Sequence, residues 1–168
     1  RNLIKGAFLH DVGKIAISDK VLLKPDKLTE SEFREMKQHV DHGFDIIASS
    51  SWLEDVQDVV LNHQEKFDGT GYPAGKKGEQ IPLTARIFAI VDVFDALTSK
   101  RPYKEPYSFE KSIKIIQEES GTHFDNKLVA QFETIAPGLY QSIEGKEDHL
   151  VKNELKKMIE KKEINEKK

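Results

Sequence analysis

Histidine and aspartate stand side by side at His10 and Asp11, with Lys14 three positions on, so one short stretch, HDVGK, offers an imidazole, a carboxylate and an ammonium. The first two can each give a lone pair to a cation, and the third can bind a phosphate. A helix from Leu3 to Lys14, turning roughly 100° per residue, would point His10 and Lys14 nearly the same way, with Asp11 about a quarter-turn off. Leu3, Ile4, Ala7, Phe8, Leu9 and Val12 make that helix apolar nearly all round, which predicts burial. Buried charges need partners. A salt-bridged histidine beside a capping acid would use the same residue types without a metal, so the decision rests on whether further ligands are supplied elsewhere.

Two further histidines fit. Thr29-Glu30-Ser31-Glu32 reads as a capping box, and the helix it opens carries Phe33, Met36, Val40, Phe44 and Ile47 on one face. His39 falls beside that stripe, whereas His42 falls opposite it and is expected to face solvent. A second helix, opened by Ser51, runs through Trp52, Leu53, Val56, Val59 and Val60 and puts His63 near the middle of its apolar side. A histidine there needs a hydrogen-bond partner or a metal.

After His63 the chain turns glycine-rich, with Asp68 to Pro73 and then Gly75 to Gly78. A loop of this length in a small domain is usually functional. Leu83 to Thr98 is apolar on all sides apart from Arg86, Asp92 and Asp95, and reads as the central buried helix. An unpaired carboxylate in such a place costs several kcal/mol. Asp92 is therefore expected to face a cation, either a metal or a side chain such as Arg86. Ser108 and Asp125 are expected to cap two more amphipathic helices. Beyond Gly145 the chain is rich in lysine and glutamate, with Leu150, Leu155, Met158 and Ile159 hinting at a helix in an otherwise solvated tail.

No strand pattern persists and no internal repeat is present, so the expected class is all-α. The 168 residues fit one domain with a core. No apolar run is long enough to span a membrane, and nothing resembles a signal peptide. The chain has no cysteine, so any metal must be held by nitrogen and oxygen. A reducing cytoplasmic setting is compatible with this. With a net charge of −3 and scattered lysines, no basic stripe for long nucleic acid exists, which leaves a small anionic substrate. Arg1 already lies within a helical pattern with no cap ahead of it, which predicts that the chain continues upstream.

In order, the motifs are HDVGK at 10–14, MKQHVDHG around His39, NHQEKFDGTGYP at 62–73, VDVFDALTSKRPYK at 91–104 and GTHFD at 121–125. This set resembles the HD-GYP family, the branch of HD-domain phosphohydrolases associated with bacterial cyclic di-GMP, over roughly the first 135 residues. The resemblance implies an HD-domain bundle of about five to seven helices over residues 1–136, followed by a Lys/Glu-rich extension over 137–168. It also implies that His10, Asp11, His39, His63 and Asp92 coordinate two divalent transition metals, iron or manganese above all, with Asp11 bridging the ions. Lys14 would contact the scissile phosphate, and Tyr72, Arg101 and Lys104 would hold the dinucleotide. The implied activity is hydrolysis of cyclic di-GMP to the linear dinucleotide and, in some relatives, GMP, by in-line attack of a metal-activated water. A sensory or receiver domain upstream is the implied partner.

The sequence departs from the family pattern twice. Gln64 stands where relatives commonly have a second histidine, and a carboxamide is a poorer ligand, so two metals at most are expected. The family's preceding helical segment, which supplies a further histidine, does not occur in this sequence. Both departures keep open a different class of function, a cyclic-dinucleotide-binding or protein-interaction module with little turnover.

Overall fold

Helices carry the described part of the chain, which comprises residues 2–100 and 105–143 of a computed structural model. Among these residues there is no strand, only an isolated bridge between Ser120 and Phe124. The all-α expectation holds. Eight α-helices follow one another: α1 (Asn2–Leu9), α2 (Asp19–Leu22), α3 (Glu30–Lys37), α4 (His39–Ala48), α5 (Gln57–Asn62), α6 (Leu83–Thr98), α7 (Phe109–Glu118) and α8 (Asn126–Ile143). With α2 set aside as a single turn, seven remain. Short 3-10 turns at Val12–Ala16, Ser51–Val56 and Gly78–Gln80 link them. Arg101, Lys104 and the helix anticipated around Leu150 to Ile159 lie outside the described residues.

The chain divides into two compact units, residues 1–130 and 131–168, and the site residues that the structure describes all lie in the first. The anticipated boundary after residue 136 falls inside α8.

The first helix is shorter than its pattern suggested. α1 stops at Leu9, and HDVGK leaves it as a turn that tightens into a 3-10 segment. Gly13 is the reason the tight turn can form where it does. A Cβ there would collide with the backbone carbonyl of His39 and the backbone of Gly43, so only glycine lets this turn lie against α4. Burial of α1 on all sides is also not found: Ile4 and Phe8 are exposed, and Leu9 with Val12 packs on a core of Ile47, Leu53, Val56 and Val60. Gly6 allows the close approach of α1 to Val59 of α5.

The helix opened at Thr29 is two helices. Its capping box is present, with the Thr29 side chain accepting from the Glu32 amide and Glu32 accepting from the Thr29 amide. The helix then breaks at Gln38 and restarts as α4. As a result Phe33 is exposed rather than part of a continuous buried stripe, while Val40 and Ile47 are buried. Trp52, placed by pattern on an apolar face, is 70% exposed because Ser51–Val56 winds as a 3-10 turn.

The central helix has the bounds read from the sequence, Leu83–Thr98. Its burial is one-sided: Ala85, Phe88, Ala89, Ile90 and Phe94 are buried, and Leu83 and Val91 are exposed. Arg86 reaches away from Asp92 and pairs with the buried Asp125 at 2.6 Å. Asp125 also accepts from the Lys127 amide at 2.9 Å and so caps α8, as expected. Ser108 caps α7 by accepting from the Lys111 amide.

Candidate metal centre

Each of the three histidines follows a helix end. His10 comes after α1, His39 after the break that ends α3, and His63 caps the C-terminus of α5. The last four carbonyls of a helix lack intrahelical partners. Each imidazole uses one of them, three residues back: Nδ1 of His10 lies 2.7 Å from the Ala7 carbonyl, Nδ1 of His39 2.6 Å from that of Met36, and Nδ1 of His63 2.9 Å from that of Val60. Three rings are thereby oriented by one rule. With Nδ1–H donated to a carbonyl, a neutral imidazole keeps its lone pair on Nε2.

Those Nε2 atoms converge. His39 Nε2 and His63 Nε2 are 3.2 Å apart. Asp11 Oδ1 lies 3.6 Å from the first and 3.8 Å from the second. His10 Nε2 is 3.2 Å from Asp11 Oδ2 and 3.9 Å from Asp92 Oδ1. Lys14 closes the other side of Asp11, its ammonium 2.6 Å from Oδ2. The five residues singled out by pattern are thus in one place, with Lys14 beside them.

Burial and charge set the protonation states. His39 and His63 are buried, and burial pushes both imidazoles below their ordinary pKa, that of His63 to about 4. Both rings are neutral near pH 7. For His10, burial alone would lower the pKa; the hydrogen bond to Asp11, that to Ala7 and the charges of Asp11 and Asp92 outweigh it and raise it. Burial likewise opposes ionisation of Asp11, yet His10 and Lys14 hold its carboxyl well below the usual carboxylate range.

One buried oxygen of this cluster is left over. Asp11 Oδ1 has no hydrogen-bond partner among the described residues, although it faces two histidine nitrogens. Both Nε2 atoms stand beyond hydrogen-bonding distance from it, at 3.6 and 3.8 Å, and with Nδ1–H donated to a carbonyl both are acceptors. Two lone pairs and a carboxylate oxygen pointed at one spot repel one another unless a cation lies between them. The spacing suits one: nitrogens bound at about 2.1 Å to a single ion stand roughly 3.0–3.4 Å apart. Asp11, His39 and His63 offer ligand atoms all within 4.8 Å of one another, and a set of imidazole and carboxylate without thiolate fits a divalent transition metal.

The glycine-rich loop forms one wall. Glu65 is buried, and its carboxylate accepts from the Ala74 amide at 2.8 Å and the Lys76 amide at 3.0 Å. Nothing in the periodicity singles out this residue; its one signal in the sequence is an acid shortly ahead of a glycine-rich turn whose amides lack strand or helix partners. Gly71 lies so close to the backbone of Gln64, Glu65 and Lys66 that any Cβ would collide there. The Gln64 carbonyl accepts from the Tyr72 amide at 3.1 Å, and the loop is pinned to GTHFD by bonds from the Phe67 and Asp68 amides to the His123 and Thr122 carbonyls. Tyr72 is thereby half-buried, its ring 6.4 Å from that of His39. Burial, reinforced by the charge of Asp11, pushes its phenol up to about 12. Tyr72 therefore remains a neutral hydrogen-bond donor.

The HD domain family model matches residues 1–128. A cyclic di-GMP phosphodiesterase of Vibrio cholerae is 50% identical over 137 residues, covering 77% of this chain and 28% of its own length. A 3'3'-cGAMP-specific phosphodiesterase of the same organism is 44% identical over 131 residues, covering 76% of this chain and 25% of its own. The chain spans under a third of the length of either relative. A crystal structure of a cyclic GMP-AMP-specific phosphodiesterase of V. cholerae has the same fold, with a TM-score of 0.59 at 22% identity over 81% of this chain and 38% of that one. With its helix-end histidines, its His10-Asp11 pair and an intact Gly71-Tyr72-Pro73, the chain belongs to the HD domain family, in its HD-GYP branch.

Proposed function

We propose that this chain is the hydrolytic domain of a phosphodiesterase acting on 3'3'-linked cyclic purine dinucleotides, with cyclic di-GMP as substrate. The observation that carries the proposal is the orphaned Asp11 Oδ1 facing two neutral Nε2 atoms that stand 3.2 Å apart. Relatives named for cyclic di-GMP and for 3'3'-cGAMP support the substrate class.

His39, His63 and Asp11 would hold one divalent ion, and His10, Asp92 and the other oxygen of Asp11 a second, iron or manganese by the chemistry of the donors. When bound, such ions polarise a phosphoryl oxygen and lower the pKa of water. The protein's own groups do the rest. Nδ1 bonds to Ala7, Met36 and Val60 keep the three rings from rotating, so no reorganisation is needed when substrate arrives. Lys14, partly exposed beside Asp11, can share its ammonium with a phosphoryl oxygen and offset the charge that builds there. Tyr72 donates from the loop wall. Arg101 and Lys104 are assigned to the dinucleotide on the family resemblance alone, as is the upstream sensory or receiver domain.

Among the described residues no helix is long and apolar enough to cross a membrane. We place the protein in the cytoplasm, where its proposed substrate would be made. Gln64 favours a second reading, binding without turnover, because it withholds an imidazole next to His63. One assay separates the two: chromatography of cyclic di-GMP incubated with Mn2+- or Fe2+-loaded protein. Linear dinucleotide is expected; intact substrate that nonetheless co-purifies with the protein would favour binding alone.

A further inference from the structure

The break at Gln38 leaves Phe33 and Lys37 on one face of α3, one turn apart and outside the core. Phe33 is 45% exposed. The glycine-rich loop, fixed by Glu65, brings Tyr72 against this face, with its ring 6.2 Å from that of Phe33 and at 82° to it. The Lys37 ammonium lies over both rings, 4.7 Å from the centre of Phe33 and 5.0 Å from that of Tyr72. Ring contacts thus link His39 to Tyr72 at 6.4 Å and Tyr72 to Phe33, with Lys37 over the last two.

Position in the last turn of α3 and two aromatic faces explain why the ammonium rests there. An aromatic face is no strong acceptor, so the N–H groups of Lys37 remain able to donate to a ligand. Among the described residues Lys37 forms no ion pair with a carboxylate, unlike Lys14, which is held by Asp11. A cyclic dinucleotide brings two phosphodiesters and two purines. The metal centre with Lys14 accounts for one phosphodiester only.

We propose that Lys37 and Phe33 are substrate-binding residues: Lys37 takes a non-bridging oxygen of the phosphodiester that is not being cleaved, and the exposed ring of Phe33 stacks a purine. The assignment rests on the cyclic dinucleotide reading above. Stacking is tolerant of which purine is presented, because every base has a π-face, so this element binds the class and does not choose between guanine and adenine.

The test is calorimetric titration of the Mn2+-loaded chain with the bisphosphorothioate analogue of cyclic di-GMP, which resists turnover, at low and at physiological salt. Lys37→Gln should weaken binding about tenfold or more and make affinity less sensitive to salt. Lys37→Arg should stay within about threefold of wild type, since it keeps the charge. Phe33→Leu should weaken binding several-fold with the salt dependence unchanged. Mn2+ binding should be the same in all four proteins. Wild type that binds while Lys37→Gln and Phe33→Leu bind equally well would overturn this inference and leave the proposed function standing. Loss of Mn2+ binding in Lys37→Gln would overturn it too, by showing a structural role. Wild type that binds no analogue would overturn the proposed function and this inference with it.

Discussion

His39 and His63 present their Nε2 atoms to each other at 3.2 Å, each ring having already committed Nδ1 to the carbonyl three residues behind it. Two buried acceptors at that separation repel one another unless a proton or a metal ion lies between them. Burial keeps both rings neutral, so the metal is the better fit.

Asp11→Asn should weaken Mn2+ binding by at least about 100-fold. Loss of an outer-shell partner already costs roughly 10–100-fold, and this substitution removes the charge of the residue that faces all three histidines. Titration calorimetry reads the change. Affinity within a few-fold of wild type would exclude Asp11 as a ligand.

Gly13→Ala should destabilise the protein by an amount at or beyond the upper end of the roughly 1–3 kcal/mol typical of overpacking, because the added methyl meets backbone atoms of His39 and Gly43 that have no room to yield. The midpoint of urea unfolding measures it. Neutrality would mean that the HDVGK turn does not press on α4 as described.

Much of this was legible in the sequence, and the failures share a cause. The capping box at Thr29, the caps at Ser108 and Asp125 and the bounds of α6 follow from local chemistry and appear as read. The early end of α1 and the break at Gln38 do not: no proline or glycine stands at Leu9 or Gln38, and Gly13 acts only through its contact with the distant α4. There, packing between distant segments decides: the 3-10 turn after Asp11 lies against α4, and each histidine ring draws on a carbonyl freed where a helix ends. Glu65 was illegible for a similar reason, since the amides it serves, at Ala74 and Lys76, come from a loop whose path no periodicity describes.

Glu65→Gln should destabilise the protein by about 1–3 kcal/mol. The carboxamide can accept from one of the two loop amides but turns its own N–H2 toward the other. Chemical denaturation gives the stability. If it is unchanged, Glu65 does not hold the loop.

Stability in acid should depend on Glu32. Its hydrogen bonds from Lys24 and from the Thr29 amide and hydroxyl hold its pKa at about 2, against an ordinary 4.5. A carboxyl lowered on folding contributes stability above its unfolded pKa and loses it as pH falls through the folded one. Wild type should therefore lose stability between pH 4.5 and 2 more steeply than Glu32→Gln, which should be the less stable of the two at pH 7. Parallel pH profiles for the two proteins would contradict the assignment.

The most direct test of the central claim is calorimetric titration of the chain with Mn2+, comparing wild type with the His39→Ala, His63→Ala double variant. Saturable binding to wild type is predicted, with the double variant losing the ion assigned to His39 and His63, while circular dichroism shows both proteins helical. Equal Mn2+ binding by the two folded proteins, or none by wild type, would contradict the claim.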